Sequence, residues 1–222
     1  MFKLDVNYLD WQLKTAQSET KYEDPVKKII QKGLQSSCSI YVQHGKSKWS
    51  GSGFHIGNGI LVTAGHVVPP ELTYEIDITF DNKSYFKATV LASEANYDAA
   101  ILSCPQISEL IPKVELGDSN TVEIGDIVAV IGSPEGFHDT ATVGRITNVH
   151  QTLGESAPSP AWRDIIFIDA DILEGSSGGM VIGTDGKVYG IIMGVTGQHS
   201  NVGVGQNSAC PSNKIIELLS KV

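Results

Sequence analysis

A glycine-rich pentapeptide, Gly175 to Gly179, has the residue types that suit a nucleophilic serine. It reads Gly-Ser-Ser-Gly-Gly and follows an apolar, β-branched run at 165–168. Glycines let the backbone turn tightly and adopt positive φ, which brings a substrate carbonyl close to the main chain. The N–H groups of Gly175, Ser176 and Ser177 can then converge on one point and stabilise a negatively charged oxygen. Alone, the segment is equally typical of an ordinary turn.

Two other segments present the side chains that such a serine needs. His66 follows a short apolar, β-branched run at 60–63 that breaks at Ala64-Gly65, and Asp98 precedes another apolar run at 99–102. A serine hydroxyl needs a base to accept its proton, and the base needs an acid that fixes its tautomer. The order His66, Asp98, Ser177 is that of chymotrypsin-type enzymes, and it differs from the orders in subtilisins and α/β-hydrolases.

Six short motifs around these residues resemble those of trypsin-like serine peptidases, and the HtrA/Deg branch most closely. The resemblance extends from about Cys38 to the C-terminus and places the nucleophile directly before Gly-Gly, at Ser177 and not at Ser176. It implies an all-β fold of two six-stranded antiparallel β-barrels, with a triad in the cleft between them and an acyl-enzyme route to peptide-bond hydrolysis. The motifs lie at 51–56 (GSGFHI), 61–68 (LVTAGHVV), 98–102 (DAAIL), 131–134 with 143–146 (IGSP and VGRI), 169–179 (DADILEGSSGG) and 211–215 (PSNKI).

The chain also departs from the family pattern. Its motifs resemble an HtrA/Deg protease domain without a PDZ domain, because the sequence given stops after one expected helix. Ser176 stands where the branch has Asn and digestive trypsins have Asp. Zymogen activation by pairing of that Asp with a new N-terminus is therefore not expected.

Substrate selection is expected to depend on Asp171. In trypsin-like enzymes the residue six before the nucleophile lies at the floor of the pocket for the P1 side chain, and Asp at that place selects Lys or Arg. The HtrA pattern usually has Ala there, so a basic P1 preference is one interpretation and a solvent-facing acid is the other. Gly194, Val195 and Gly205 are expected near the pocket walls.

The coarse pattern of elements predicts one peptidase domain over 1–222, in five parts. Asp24-Pro25 indicates the start of a helix that continues to about Leu34, and a second amphipathic helix is expected near the C-terminus. The parts are an N-terminal arm and helix (1–36), a first barrel (37–104, with strands near 38–43, 49–56, 60–63, 74–80, 84–92 and 99–103), a connector (105–126), a second barrel (127–211, with strands near 127–131, 141–149, 165–170, 180–183, 187–193 and 203–209) and the C-terminal helix (212–222).

The composition limits the classes of partner and cofactor that are expected. The chain of 222 residues carries a formal net charge of −9, which disfavours nucleic acid and anionic membranes as main partners. No C-x-x-C pair or other metal signature is present, so no cofactor and no metal are expected. Cys38, Cys104 and Cys210 are few for a secreted trypsin-like enzyme, and no signal peptide is visible, so a cytoplasmic location is expected.

Two functions remain open at this point. The first is an active serine endopeptidase whose partner is a peptide or protein substrate. The second is a catalytically silent protease-fold binding module. An intact triad with a glycine-rich loop favours the first. The sequence does not predict whether the chain forms a homo-oligomer.

Overall fold

The computed structural model describes residues 24–70, 72–81, 83–133, 140–152, 163–195 and 207–222. The first helix, α1, covers Pro25–Leu34 and begins as expected: the Asp24 carboxylate accepts the N–H of Val26 and proline occupies the first turn. Its buried face carries Ile29 and Gly33. On its exposed side, Lys32 Nζ donates to Gly186 O at 2.8 Å, which fixes the helix to the second barrel.

Six antiparallel strands close into the first barrel, in the order β1-β2-β3-β6-β5-β4 with β4 paired back to β1. In β1 every second side chain points inward, so that Cys38, Ile40 and Val42 share one apolar core. The strands are β1 (Ser37–His44), β2 (Ser47–Gly57), β3 (Ile60–Thr63), β4 (Glu75–Thr79), β5 (Tyr85–Glu94) and β6 (Ala99–Ser103).

The β2–β3 hairpin turns at Asn58-Gly59. Both residues have positive φ, 53° and 71°, as two-residue hairpin turns require. A Cβ at Gly59 would lie 2.6 Å from the carbonyl oxygen of Cys104. Glycine therefore lets the turn pack on the end of β6 and aligns β3, the strand that leads to His66.

The second barrel is a ring of six antiparallel strands, β8-β9-β10-β13-β12-β11, closed by the β11–β8 pairing. A two-residue strand, β7, adds to β12 in parallel. The strands are β7 (Glu115–Leu116), β8 (Ile127–Gly132), β9 (Thr140–Gln151), β10 (Ile165–Ile168), β11 (Met180–Gly183), β12 (Lys187–Val195) and β13 (Asn207–Pro211). The predicted all-β fold of two six-stranded barrels is thereby confirmed.

A shared apolar cluster joins the barrels. Phe54, Val62 and Ile101 of the first barrel pack with Ile131 and Met180 of the second. The second helix, α2 (Ser212–Leu219), adds its buried residues to the same cluster, and its first residue donates a side-chain hydrogen bond to Gly117 O at 2.7 Å. The barrels therefore share one core, so side chains from both meet at a fixed junction.

Most strand ends lie within two residues of the expected positions, and three differences concern the connector and two strands of the second barrel. The connector is not a plain loop, because it contains β7 and two short 3-10 turns at Pro105–Ile107 and Ser119–Thr121. The strand expected to reach residue 170 ends at Ile168, after which Asp169 Oδ1 accepts the main-chain N–H of Arg145. The strand expected at 203–209 is found at Asn207–Pro211, with 203–206 outside the described residues.

Candidate active site

Asp98 holds His66 through both its main chain and its ring. Asp98 Oδ1 accepts the main-chain N–H of His66 at 2.8 Å, and His66 Nδ1 lies 2.9 Å from each carboxylate oxygen. Asp98 has a positive φ of 53°, a conformation that aspartate tolerates better than most residues. A Cβ at Gly65 would lie 3.1 Å from the Ala99 nitrogen, so glycine lets the two loops touch. With Nδ1 bound to a carboxylate, the other ring nitrogen is left as the free base.

The environment of His66 tunes its proton affinity. Partial burial lowers the pKa of the imidazole, but the hydrogen bond to Asp98 and the charge of its carboxylate raise it by more, so the pKa lies above the ordinary 6.5. The His66 side chain remains 49% exposed and that of Asp98 only 14%. The His66 imidazole is thus open to a ligand, while the Asp98 carboxylate that orients it is sheltered.

Ser177 lies in a tight turn beside the His66 loop. Its neighbour Gly178 has a φ of 86°, and a Cβ there would lie 2.9 Å from the Ala64 nitrogen. Only glycine fits this place, so the β3 end and the Ser177 turn are in direct contact. Within the described residues Ser177 Oγ has no hydrogen-bond partner. The Ser177 turn and the His66 loop are therefore neighbours, but no hydrogen bond joins the Ser177 hydroxyl to His66.

Two N–H groups of the turn are free to receive a ligand. Among the described residues, the main-chain N–H groups of Gly175 and Ser177 donate to no acceptor. Ser176 differs from the expectation, because its N–H donates to Leu173 O at 3.0 Å and its Oγ accepts the Leu173 N–H at 3.2 Å. Ser176 therefore shapes the turn, and its expected part in the oxyanion hole is corrected: its donor is already used.

Asp171 lies on the rim of a small pocket next to the turn. The pocket is lined by residues that include Thr142, Leu173 and Ser176, and the Asp171 side chain is exposed. Its main-chain oxygen accepts the Thr142 hydroxyl at 2.5 Å. No lysine or arginine among the described residues lies within ion-pair distance of its carboxylate. The carboxylate is thus unpaired and accessible rather than buried.

Two of the other expected pocket residues, Gly194 and Val195, lie at the end of β12. Gly194 has a φ of 153°, and the β12–β13 register shifts just before it. Its carbonyl oxygen accepts a hydrogen bond from the Ser208 hydroxyl at 2.9 Å. Val195 pairs with Asn207, whose side-chain amide donates to Ala170 O. Gly205 lies outside the described residues. Gly194 and Val195 are therefore near the segment of Asp171, and Gly205 stays a prediction.

One further group at the site, Ser52, was not among the residues expected there. Ser52 in β2 bonds to the main chain of both Gly175 and Ser177. Its signal was present in the motif Gly51-Ser52-Gly53, a polar residue between two glycines inside a strand, but nothing local showed what it binds. Across the described residues no cluster of three or more His, Cys, Asp or Glu side chains is arranged to hold a metal ion. In the same part of the chain, no helix is long and apolar enough to span a bilayer.

A sequence profile of the trypsin-like peptidase domain matches residues 51–191. Because the match covers more than half of the chain, the chain belongs to the trypsin-like peptidase family. Its solved structural neighbours include the HtrA-type protease AlgW with a tripeptide, with a TM-score of 0.75 and 23% identity. The superposition covers 88% of this chain and 62% of the AlgW chain. They also include Rv3671c from M. tuberculosis (TM-score 0.70, 24% identity, 87% of this chain and 90% of that one). At these identities both structures support the fold alone.

Curated relatives carry the HtrA/DegP names that the motifs predicted. A probable periplasmic serine endoprotease DegP-like from Buchnera aphidicola is 30% identical over 183 residues, which is 81% of this chain and 38% of the relative. Serine protease HTRA4 from Homo sapiens is 29% identical over 174 residues, 78% of this chain and 35% of the relative. A DegP-like relative from Rickettsia prowazekii is 35% identical over 177 residues, which is 77% of this chain and 33% of the relative. The chain spans about a third of the length of these relatives.

These relatives correct one expectation. The two bacterial ones are named periplasmic, so the expectation of a cytoplasmic location is wrong. The cysteine argument failed for a physical reason. Cys38, Cys104 and Cys210 are free and buried, and a thiol that oxidants cannot reach says little about the redox state of its compartment.

Proposed function

We propose that this chain is a serine endopeptidase that uses His66 as general base, Asp98 as the acid that orients it and Ser177 as nucleophile. The observation that carries the proposal is the three-bond contact of the Asp98 carboxylate with the main chain and ring of His66. A histidine held in this way has one defined tautomer, with its free nitrogen available for proton transfer. The family membership and the names of the relatives support the same activity.

The reaction follows from these positions. When a peptide binds, Nε2 of His66 accepts the Ser177 hydroxyl proton and Oγ attacks the carbonyl carbon. The oxygen that becomes negative accepts hydrogen bonds from the N–H groups of Gly175 and Ser177. Protonated His66 then gives its proton to the leaving amine, which breaks the peptide bond and leaves an acyl-enzyme. Water then attacks the ester while His66 accepts its proton, and His66 returns that proton to Ser177 Oγ as the acyl–oxygen bond breaks and the second product leaves.

The missing contact between the Ser177 hydroxyl and His66 is compatible with this route. In enzymes without substrate, catalytic hydrogen bonds are often long and tighten only in the complex. The backbone on the C-terminal side of the Ser177 side chain is held, because Ser177 O accepts the Ser52 N–H and the Gly178 N–H donates to Ile192 O.

For the substrate we propose a preference for lysine or arginine at P1. The exposed, unpaired carboxylate of Asp171 beside the turn supports it. A substrate ammonium or guanidinium can make a charge-assisted hydrogen bond there, which is stronger than a neutral one. Because the carboxylate is exposed, water weakens this pair and we expect a moderate preference.

Hydrolysis of a fluorescent casein by the wild-type chain and by Ser177→Ala tests the proposal. We expect turnover by wild type and none by Ser177→Ala, with the same thermal unfolding midpoint for both, because only a partly exposed hydroxyl is lost. Inactivation by Ser176→Ala alone would show that the nucleophile has been placed one residue too late. A folded wild type without any turnover would favour the silent binding module instead.

A further inference from the structure

Ser52 lies at the junction of the two barrels, in the middle of β2. It is fully buried and flanked by glycines for a steric reason. A Cβ at Gly51 would meet the Val67 methyl groups at 2.7 and 2.9 Å, and one at Gly53 would meet Ile40 Cδ1 at 2.7 Å. The β2 backbone on either side of Ser52 thus packs closely against Val67 and Ile40. Ser52 itself is the polar residue of β2 that contacts the Ser177 turn.

The Ser52 hydroxyl connects two segments of the second barrel. It donates to Gly175 O at 2.7 Å, and it accepts the main-chain N–H of Ser133, which follows β8, at 2.8 Å. A hydroxyl has one donor, and here it is used on Gly175. Ser52 is buried, so loss of its hydroxyl would take from the Gly175 carbonyl the only protein donor described for it.

The main chain of Ser52 holds the other end of the same turn. Its N–H donates to Ser177 O at 2.8 Å. Its carbonyl accepts the Thr63 hydroxyl at 2.7 Å, and Thr63 ends the strand that leads to His66. One residue therefore contacts both ends of the 175–177 turn and the strand of the base.

The Ser52 hydroxyl helps to hold the peptide group that follows Gly175. This peptide group joins Gly175 to Ser176. Its oxygen accepts the Ser52 hydroxyl and its N–H donates to Leu173 O, so it is held at both ends. The N–H of Gly175, which has no described acceptor, lies on the other side of the Gly175 Cα, so its direction relative to this held group depends on the backbone conformation of Gly175. Gly175 has a φ of 88°, and a glycine has low barriers to other backbone conformations. Gly175 does not keep this backbone conformation by itself, so a hydrogen bond from outside the turn is needed to hold it.

We propose that Ser52 is a positioning residue whose hydroxyl holds Gly175 in the conformation that forms the oxyanion hole. The inference rests on the proposed peptidase function. Ser52 does not contact the reacting atoms, and it acts through Gly175. Removing one donor from an oxyanion hole slows catalysis by about 10²–10³-fold. Loss of the Ser52 hydroxyl leaves the donor in place but frees its orientation, so a smaller loss, on the order of 10–100-fold, is expected.

The test compares Ser52→Ala with wild type in the second-order rate constant for labelling by a fluorophosphonate. The phosphonyl oxygen becomes negative as the serine attacks, so this rate depends on the oxyanion hole without depending on the P1 pocket. We expect a decrease on the order of 10–100-fold. The pH midpoint of labelling should not move, because His66 and Asp98 are untouched.

A matched control separates positioning from stability. Ser36 is also fully buried and also donates its hydroxyl to a main-chain carbonyl, that of Pro112 at 2.9 Å, away from the site. Ser36→Ala should unfold at a similarly lowered temperature but label within about twofold of wild type. Ser52→Cys, studied with reductant present, keeps a weak donor. It should label at a rate between those of wild type and Ser52→Ala, and it replaces Ser52→Ala if that variant does not fold.

The outcomes separate the two hypotheses. Labelling of Ser52→Ala or Ser52→Cys at the wild-type rate overturns the positioning role, and so does an equal decrease in Ser36→Ala. A shifted pH midpoint in Ser52→Ala also overturns it, since the hydroxyl would then act on His66. A wild type that is folded but does not label overturns the proposed peptidase function, and the role of Ser52 with it.

Discussion

Asp98 binds His66 twice, at the main-chain N–H and at the ring nitrogen Nδ1. One carboxylate thereby fixes both the loop that carries His66 and the rotation of its imidazole. Because Asp98 is the more sheltered of the two side chains, its attraction for His66 is weakly screened by water and salt.

Replacement of Asp98 by Asn tests this contact. Asp98→Asn keeps the shape but presents an amide, which favours the wrong tautomer of His66. We expect hydrolysis to fall on the order of 10⁴-fold, the loss measured for the same change in a chymotrypsin-fold triad.

The chain provides a matched control for Asp98→Asn. His150 and Asp164 form a second histidine–aspartate pair, 2.7 Å apart and outside the site. Asp164→Asn should change the turnover number less than about threefold, because no reacting atom is near. Equal losses in the two variants would contradict a specific role for Asp98.

The pH dependence of hydrolysis should reflect the raised pKa of His66. Activity should increase with pH through a midpoint above about 6.5, since only the neutral imidazole can accept a proton. In Asp98→Asn the midpoint should fall, because the carboxylate that stabilises the imidazolium is gone. A midpoint of activity that is the same in wild type and in Asp98→Asn would contradict this assignment.

The His66–Asp98 pair also contributes to the stability of the folded state. The contribution is fully present below the ordinary pKa of His66, and it is lost as pH rises through the raised pKa.

Substrate preference should depend on Asp171. Matched peptides with Arg, Leu, Val and Gln at P1 should be cleaved with the highest kcat/KM for Arg. In Asp171→Ser the value for Arg should fall on the order of 2–5-fold, as expected for an exposed ion pair, and the value for Leu should change little. Glu174→Gln removes a nearby exposed charge and serves as the control. A wild-type preference for Leu or Val that Asp171→Ser leaves unchanged would show that Asp171 does not select the substrate.

The start of α2 should stabilise the protein through Lys214. Its Nζ donates to Arg163 O at 2.9 Å, lies 3.4 Å from Asp164 Oδ2 and lies 5.2 Å from the centre of the Tyr97 ring. We expect Lys214→Met to lower the free energy of unfolding by about 0.5–1.5 kcal/mol at pH 7, measured by urea denaturation.

This loss should shrink in acid. Burial raises the pKa of Asp164, but His150 and Lys214 lower it by more, so the net shift is downward. The stabilisation is therefore present above the ordinary pKa of about 3.9 and disappears as pH falls through the lowered value. Lys32→Met removes a bond to a carbonyl rather than to a carboxylate, and its effect should not change between pH 7 and pH 3. An acid-insensitive loss in Lys214→Met would contradict the ion pair.

The fold and the strands that precede His66 and Asp98 could be predicted from local patterns, because each short strand and its breaking residues are adjacent in sequence. The strand before His66 and the glycines around Ser177 are such patterns, and the family match confirms the class they indicate. The network of Ser52 could not be predicted in this way. Its hydroxyl joins residues 81 and 123 positions away, and only the closed barrels bring them together.

The expected role of Ser176 failed for a related reason. A glycine-rich loop offers several N–H groups, and the sequence does not show which of them the turn itself uses. In the structure Leu173 takes the N–H of Ser176, which leaves those of Gly175 and Ser177. The parallel strand β7 was missed because two residues are too few to show a periodic pattern.

Fluorophosphonate labelling followed by peptide mapping tests directly whether Ser177 is the activated nucleophile. We expect one covalent adduct, on Ser177, formed by the native chain and abolished by prior unfolding, because activation depends on the assembled His66–Asp98 pair. An adduct on Ser176 or on any other serine, or no adduct on a chain shown to be folded, would contradict it.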